Sequence, residues 1–297
     1  MFKIKNRRHN TSQFYICLIV CSFVSALVSA DTVKDKIKSF DDLEKRLVHD
    51  GFNKKKIAEI YKSKNVRFNL KSVALFLMHN EANLNYNAFL AKKYIKQAKK
   101  YKQQHIKTLN NAKKKFSSDK DIIVAIILVE TKLGTNTGHS SVINTLSTMA
   151  SLSDKSARNL IWESIPADKR LTPEKFEKKA IRKSKWAYKE LKAFIKYTAR
   201  ENMRPDTIYG SYAGAVGIAQ FMPSNLLSLA MDGNNDGKVN LFHHSDAIFS
   251  IANYLNHYGW RPGIEKKKAF KVIYRYNHSK YYVNTILKIA ASLKENK

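Results

Sequence analysis

The sequence predicts a mainly α-helical protein. Only 10 glycines and 5 prolines occur among its 297 residues, so few positions interrupt regular structure. Runs in which apolar and polar residues alternate, as they do in half-buried strands, are scarce. Most segments instead carry apolar residues three or four positions apart, which is the spacing of one face of a helix. The chain shows no internal repeat and no low-complexity linker, and we therefore expect one helical domain after the leader.

The first 30 residues have the pattern of a signal peptide. Residues 14–27 form a short apolar core, and Val28, Ser29 and Ala30 place small residues at the cleavage position. Four basic residues precede the core: Lys3, Lys5, Arg7 and Arg8. The pattern predicts export and a mature chain without a membrane span. An uncleaved membrane anchor is the alternative, although the apolar run is short for a span of about 20 residues.

The cysteines and the charge narrow the classes of function. Cys17 and Cys21 both lie in the leader, so the mature chain has neither disulfides nor thiolate metal sites. The formal net charge is +30, which suits a polyanionic partner, and nucleic acid is the usual first hypothesis. Export argues against nucleic acid, because an exported chain meets cell wall and membrane surface. A solvated surface that is simply rich in lysine explains the charge equally well.

Residues 31–116 are expected to form an N-terminal part of four or five short amphipathic helices. Residues 41–47, 55–61 and 71–78 have helical spacing and are separated by polar turns. Residues 93–115 are strongly basic and contain few large apolar residues. That composition indicates the solvated face of one long helix or of a helix pair.

Residues 117–297 are expected to form the core, and their first segment is ambiguous. The Ile and Val content of residues 121–130 suits a buried strand. The surrounding segments all have helical spacing, so we predict a buried helix.

Three further helices are predicted from their start signals. Thr172 and Pro173 have the pattern of an N-cap followed by proline at the first helical position, and they open a long helix. Ser245 or Asp246 is expected to cap another helix, which ends at Gly259. Residues 282–293 form the last helix.

Glu130 follows an almost unbroken apolar run at residues 122–129. A carboxylate at the mouth of a buried segment loses hydration, which disfavours its charged form and raises its pKa. A raised pKa is what a general acid needs near neutral pH. A surface glutamate that caps a core element is the alternative, and the segments that follow along the chain favour the catalytic interpretation.

Residues 210–223 form a glycine-rich segment with two isolated polar side chains. Its glycines and small neighbours allow backbone, another helix or a substrate to approach closely. Ser211 and Gln220 are polar groups in an otherwise apolar stretch, and buried polar groups need partners. Tight helix packing is the alternative explanation of the glycines.

Residues 232–246 begin like a calcium-binding loop. Positions 1, 3 and 5 carry oxygen side chains and position 6 is glycine, as in the first half of an EF-hand: Asp232, Asn234 and Asp236. Position 12 lacks the glutamate of an EF-hand, but Asp246 would supply a carboxylate in a loop that is three residues longer. Lys238 would contribute only its backbone carbonyl. A polar turn without metal is the alternative.

Residues 274–282 alternate aromatic rings with amide and hydroxyl groups. This composition is typical of a sugar site, in which rings stack on pyranose faces while fixed polar groups hold the hydroxyls. An aromatic-rich corner of the core is the alternative.

These motifs together resemble the lytic murein transglycosylase B family, bacterial exoenzymes with a goose-lysozyme-like catalytic core. The matching segments follow the order of the family along the chain: residues 129–134, 210–223, 232–246, 252–254 with 259–260, and 275–279. The resemblance implies a lysozyme-like helical catalytic core with an N-terminal helical region and an extended EF-hand-like loop. Together with the leader, it implies a location in the periplasm of a bacterium.

The resemblance also implies roles for individual residues. Glu130 falls on the only catalytic carboxylate of the family, and Ser211 and Asn277 fall on polar groups around it. Gln220 falls on a saccharide contact. The aromatic residues that line the groove are Tyr254, Tyr276 and Tyr282. The ligands of a structural calcium ion are Asp232, Asn234, Asp236, Lys238 and Asp246. No cofactor is expected for catalysis.

The predicted function is cleavage of the β-1,4 bond between N-acetylmuramic acid and N-acetylglucosamine in peptidoglycan, with 1,6-anhydro products. The segments that carry the motifs contain no other acid outside the metal loop, so Glu130 would act first as an acid and then as a base, without a second carboxylate. The expected partner is the peptidoglycan glycan strand, bound by a monomer. A muramidase that hydrolyses the same bond and a non-catalytic wall-binding protein are the alternatives.

Overall fold

The computed structural model describes residues 40–79 and 84–294, and these residues are mainly helical. Thirteen α-helices lie in the two ranges: α1 (Asp41–His49), α2 (Lys54–Lys62), α3 (Leu70–Met78), α4 (Lys92–Gln104), α5 (Ile106–Phe116), α6 (Lys120–Thr131), α7 (Val142–Ala150), α8 (Lys155–Ser164), α9 (Pro173–Arg200), α10 (Pro223–Leu229), α11 (His244–His257), α12 (Lys266–Tyr276) and α13 (Lys280–Leu293). The predicted fold class is confirmed.

Short segments connect the helices. Strands β1 (Ser140–Ser141) and β2 (Tyr209–Gly210) pair in antiparallel fashion, with Ser140 opposite Gly210. Single 3-10 turns lie at Tyr86–Leu90, Ser151–Ser153, Ala167–Lys169 and Pro205–Thr207. The small sheet fixes the start of the glycine-rich segment against the chain that follows α6.

The predicted leader, residues 1–30, lies outside the described residues. In the parts of the chain that the structure describes, the helices are too short or too polar to cross a membrane. The division between an N-terminal part and a core at residue 116 remains a prediction.

Helix α6 lies at the centre of the fold. Every residue from Ile122 to Val129 is buried, and the helix packs against α13, α4, α5 and α11. The Asp119 carboxylate accepts the backbone N–H of Asp121 at 2.8 Å and caps the helix. The predicted buried helix is correct: the run is apolar on all sides because helices surround it.

Helix α6 ends in a tight left-handed turn directly after Glu130. Lys132, Leu133 and Gly134 have φ values of 49°, 63° and 85°. The N–H groups of Lys132 and Leu133 donate to the carbonyls of Leu128 and Ile127 at 2.9 and 3.1 Å, which satisfies the last turn of the helix. The chain therefore reverses direction immediately beyond the carboxylate.

The N-terminal helices follow the predicted ranges closely. Asn53 and Asn69 cap α2 and α3 by accepting backbone N–H groups, as asparagine does at helix starts. Of the two predicted alternatives, one long helix or a helix pair, the basic stretch forms the pair, α4 and α5, which meet at His105. One of its lysines is an exception to the solvated face, because Lys102 is buried and pairs with Asp121 of α6 at 2.8 Å.

The start of helix α11 differs from the prediction. Its N-cap is His243 and its first residue is His244, whereas Ser245 or Asp246 was expected to cap it. Asp246 is completely buried, and its two carboxylate oxygens accept the backbone N–H groups of Gly233 and Asn240 at 3.0 and 2.7 Å. The carboxylate therefore closes the preceding loop and is not available to cap the helix.

Candidate active site

Glu130 lies in the last turn of α6, where the buried helix reaches a partly exposed surface. The Tyr282 hydroxyl donates a hydrogen bond of 2.7 Å to Oε1 of Glu130. Tyr282 is only 1% exposed and comes from α13, which packs along α6. The core of the protein thus holds the donor that fixes the carboxylate.

Two tyrosines beside Glu130 stay protonated at all ordinary pH values. Burial raises the pKa of both Tyr276 and Tyr282 well above the usual value, and the charge of Glu130 raises it further. The hydroxyl of Tyr276 donates to the carbonyl of Ala219. Both hydroxyls are therefore permanent donors, one to the carboxylate and one to the glycine-rich segment.

The glycine-rich segment is attached to the end of α6. The hydroxyl of Thr131, the residue after Glu130, donates to the carbonyl of Ile218 at 3.1 Å. Val216 forms bridges to Gly210 and to Phe221, which fold the segment back on itself. Thr131 falls in the segment 129–134 that resembles the family, but nothing in the sequence indicates this role of its hydroxyl.

Gln220 is held in one orientation by the main chain around it. Its side-chain Nε2 donates to the carbonyls of Thr137 and Gly217 at 3.1 and 2.8 Å. Its backbone has a φ of 49°, a left-handed conformation that non-glycine residues adopt rarely and that concentrates at functional sites. The side-chain oxygen of Gln220 remains as an acceptor for a ligand.

Ser211 and Asn277 are the two polar residues that the resemblance places around Glu130. The Ser211 hydroxyl accepts the backbone N–H groups of Ala213 and Ala215 at 3.3 and 3.1 Å, so it shapes its own turn. Asn277 ends α12, where its N–H donates to the carbonyl of Ile273 at 3.3 Å. A direct contact of either residue with a sugar remains a prediction.

The predicted aromatic residues form a connected cluster, but most of it is buried. The ring of Tyr276 lies 4.8 Å from that of Tyr254 and 6.5 Å from that of Tyr282, measured between centroids. Tyr254 is 3% exposed and also packs on Phe221 at 5.6 Å. The faces of Tyr254 and Tyr282 are therefore covered by protein, which favours a supporting role for these two rings over direct stacking on a sugar.

The loop at residues 232–246 has the donor chemistry of a hard cation site. Both oxygens of Asp232 accept backbone N–H groups, from Asn235 at 2.7 Å and Gly237 at 2.8 Å, so the loop curls around this carboxylate. Burial raises the pKa of Asp246, and the charges of Asp232 and Asp236 raise it further. Within the described ranges, no three His, Cys, Asp or Glu side chains are grouped closely enough to hold a metal on their own. The remaining oxygens would come from Asn234 and the Lys238 carbonyl, which suits calcium in kind.

Comparison with known proteins finds a matching family model and a similar sequence. Residues 35–267 match the family model of the Transglycosylase SLT domain. The membrane-bound lytic murein transglycosylase B of Escherichia coli (strain K12) is 31% identical over 160 residues, which are 54% of this chain and 37% of that protein. The alignment thus spans well under half of the length of this relative.

Several solved structures share the fold, among them SltB3 and Slt35. SltB3 from Pseudomonas aeruginosa, in complex with NAG-NAM-pentapeptide, has a TM-score of 0.69 and 19% identity, over 88% of this chain and 81% of that chain. The Escherichia coli lytic transglycosylase Slt35, in complex with calcium, has a TM-score of 0.65 and 22% identity, over 87% and 94%. The lysozyme-like architecture is confirmed by these neighbours. Because the family model covers most of its length, the chain belongs to the transglycosylase SLT domain family.

Proposed function

We propose that this chain is a lytic transglycosylase. It cleaves the β-1,4 bond between N-acetylmuramic acid and N-acetylglucosamine of peptidoglycan and leaves a 1,6-anhydro ring on the muramic acid. The observation that carries the proposal is the position of Glu130, which ends a buried helix and accepts the Tyr282 hydroxyl at 2.7 Å. Family membership supports the substrate class.

A single carboxylate is sufficient for this reaction. Glycoside hydrolases use two carboxylates on either side of the bond. The stretches that carry the site residues contain no other aspartate or glutamate: 131–153, 207–231, 247–264 and 269–293. Glu130 therefore serves as acid and as base in succession.

The reaction has two steps. Protonated Glu130 donates its proton to the glycosidic oxygen, the bond from that oxygen to C1 of the muramic acid breaks, and the N-acetyl oxygen of the same sugar stabilises the cation at C1. The Glu130 carboxylate then removes the proton of the C6 hydroxyl, and O6 bonds to C1. Because the nucleophile belongs to the same sugar, the second step has the advantage of an intramolecular reaction, and water is not consumed.

The other site residues would bind and orient the substrate. Tyr282 positions the Glu130 carboxylate through its hydroxyl, and Tyr276 fixes the glycine-rich segment through Ala219. Gln220 offers its side-chain oxygen to a sugar hydroxyl, and the resemblance assigns Ser211 and Asn277 to the same substrate site. The substrate is the glycan strand of a bacterial wall, reached through export by the predicted leader, and the acting unit is one chain.

The products of peptidoglycan digestion test this proposal. Purified protein incubated with sacculi should release muropeptides that are one water lighter than hydrolysis products, which mass spectrometry resolves. Products with a reducing end would identify a muramidase instead. Sedimentation with sacculi and no released product would identify a wall-binding protein.

The variant Glu130→Gln tests the acid. Gln keeps the size of the side chain and an oxygen that accepts the Tyr282 hydroxyl, but it has no proton to donate at neutral pH. Activity should fall at least about 1,000-fold, since general acid and general base contributions are both lost, while the melting temperature stays unchanged. Substantial residual turnover would show that another group is the acid.

We further propose that residues 232–246 hold a structural calcium ion, bound by Asp232, Asn234, Asp236, the carbonyl of Lys238 and Asp246. The all-oxygen donor set supports this proposal, and so does the similarity of the fold to Slt35, whose structure was solved in complex with calcium. The ion would fix the connection between the glycine-rich segment and α11, and it takes no part in the reaction.

Thermal unfolding with and without calcium tests the metal site. Calcium added to chelator-treated protein should raise the melting temperature, because a ligand that binds only the folded state stabilises it. Asp232→Asn should abolish this response. The control variant Asp168→Asn changes an exposed aspartate outside the loop and should still respond to calcium. An equal melting temperature with and without calcium would contradict the proposal.

A further inference from the structure

A cavity lies beside the turn that follows Glu130. It has a volume of about 430 Å³ and is bounded by α4, by the turn at Lys132–Thr135 and by His244 at the start of α11. None of the residues predicted to contact the sugar lines this cavity. A volume of this size accommodates a small ligand or a short peptide end.

The charge of this cavity is positive. Lys100 of α4 and Lys132 of the turn line it, and no aspartate or glutamate does. Among the described residues, neither lysine pairs with a carboxylate, whereas the nearby Lys102 is neutralised by Asp121 at 2.8 Å. Residues 92–116, which form α4 and α5, contain no acidic residue at all. An anionic group that entered the cavity would meet two unpaired ammonium groups.

The back wall of the cavity is built from tightly packed rings. The hydroxyl of Tyr101 and Nδ1 of His244 are 2.9 Å apart, and the rings of His105 and His244 stack at 4.7 Å with an angle of 29°. Gly134 has a φ of 85°, and a Cβ there would come within 2.8 Å of the His244 ring. The turn after Glu130 and the wall of the cavity are therefore fitted to each other.

The location selects the kind of anion. Lys132 is two residues from Glu130, so one wall of the cavity is the turn that directly follows the helix of the proposed acid. The muramic acid of peptidoglycan carries a short peptide with free carboxylates on its lactyl group. We propose that this cavity binds a carboxylate of that peptide through Lys100 and Lys132, an inference that rests on the proposed function. The glycan and its peptide would then bind to two separate parts of the protein.

Cleavage rates on two substrates test the cavity. The first substrate is intact sacculi, and the second is the same glycan after an amidase has removed its peptides. Lys100→Gln should lower kcat/KM on intact sacculi about tenfold, the value of one hydrogen bond to a charged group, chiefly through KM, and leave the stripped glycan unaffected. The matched control is Lys99→Gln, which changes the neighbouring exposed lysine outside the cavity and should behave as wild type on both.

Several outcomes would overturn the inference. One is an equal rate of wild type and Lys100→Gln on intact sacculi. Another is an equal loss on both substrates, which would place Lys100 in glycan binding. An equal loss of kcat/KM in Lys99→Gln would show that the effect comes from the overall positive charge of the protein and not from the cavity.

Direct binding separates this inference from the proposed activity. The free peptide released by the amidase should bind Glu130→Gln protein in calorimetry, and Lys100→Gln introduced into that protein should weaken binding about tenfold. This measurement does not depend on turnover. If inorganic phosphate binds as tightly as the peptide and with the same dependence on Lys100, the site belongs to a phosphate-bearing wall polymer and the peptide assignment is wrong.

Discussion

The hydrogen bond from Tyr282 to Glu130 is the contact that most directly shapes the site at the scale of single residues. A carboxylate at a helix end can rotate, and a fixed donor selects one rotamer. The ring of Tyr282 is itself fixed, because Tyr86 packs edge-on against it at 5.7 Å and Tyr276 lies nearly parallel to it at 6.5 Å. The orientation of the proposed acid is therefore set by the packing of the core.

Tyr282→Phe should lower activity without unfolding the protein. The ring remains and only the hydroxyl is lost, so kcat should fall about tenfold to a hundredfold, the value of a hydrogen bond to a charged group. The ionised carboxylate also loses a donor, which disfavours it relative to the protonated acid. The alkaline limb of the pH–rate profile should therefore move to higher pH.

The control for Tyr282→Phe is Tyr281→Phe. Tyr281 is the preceding residue on α13 and is 65% exposed, so the loss of its hydroxyl should change neither kcat nor the profile. If both variants lose activity equally, or if the alkaline limb of Tyr282→Phe stays in place, the hydrogen bond does not tune the acid.

The tyrosines that the structure places beside Glu130 could be singled out from the sequence, but the way each side chain is used could not. The apolar run before Glu130 and the aromatic motif around Tyr276 and Tyr282 are visible in the sequence. Whether a tyrosine presents its ring face or its hydroxyl depends on what covers the ring. For Tyr282 that cover comes from Tyr86, which lies far away along the chain.

At the scale of structural elements, the backbone of the glycine-rich segment packs tightly against the loop at residues 232–246. Gly217 has a φ of 71°, and a Cβ there would lie 2.5 Å from the carbonyl oxygen of Leu241. The N–H of the next residue, Ile218, donates to that same carbonyl at 2.8 Å. Any side chain at position 217 would push the segment away from the loop at residues 232–246.

Gly217→Ala should destabilise the protein strongly, and Gly263→Ala supplies a matched control. Gly263 has the same φ of 71°, with no atom within 4 Å of a Cβ placed there. Gly263→Ala should therefore lower the free energy of unfolding only by the penalty for a left-handed alanine, about 1 to 2 kcal/mol. Gly217→Ala adds a clash with backbone and should cost more than about 3 kcal/mol in urea unfolding. Equal losses would mean that the segment moves freely to accept the methyl group.

Helices with strong periodicity could be predicted, and boundaries that depend on distant partners could not. Helices α1 to α3 match the expected ranges because apolar spacing defines them, whereas the buried helix α6 was predicted from the helical spacing of its neighbours. The break between α4 and α5 at His105 has no glycine or proline to mark it. The start of α11 was misplaced because Asp246, a good cap by residue type, is used by the loop before it.

The structure of the whole molecule depends on polar contacts between its first and second halves. Ser63 and Asn65, after α2, both donate to Oδ2 of Asp206, at 2.7 and 3.3 Å. Asp206 lies three residues before β2, and so the N-terminal helices are tied to the chain that leads into the glycine-rich segment. Because 143 positions separate Ser63 from Asp206, no local sequence pattern could indicate this contact.

Asp206 makes the stability of the whole chain sensitive to acid. The guanidinium of Arg204 and the hydrogen bonds from Ser63 and Asn65 lower its pKa to about 2, while its usual value is 3.8. A carboxyl group with a depressed pKa in the folded state stabilises the fold fully above pH 3.8, and this contribution is lost as the pH falls through about 2. Acid below pH 4 should therefore weaken the contact between the two halves.

Asp206→Asn tests this sensitivity by unfolding in urea at two pH values. At pH 7 the variant should be less stable than wild type by about 1 to 2 kcal/mol, a modest value because the Arg204 side chain is 74% exposed and its charge is screened by solvent. At pH 2 the difference should become much smaller, because the Asp206 carboxyl, with a pKa of about 2, is then about half protonated in the folded wild type and almost fully protonated in the unfolded chain. Asp168→Asn, which removes an exposed carboxylate, should match wild type at both pH values. A difference that is the same at pH 7 and pH 2 would show that Asp206 acts through its shape and not through its charge.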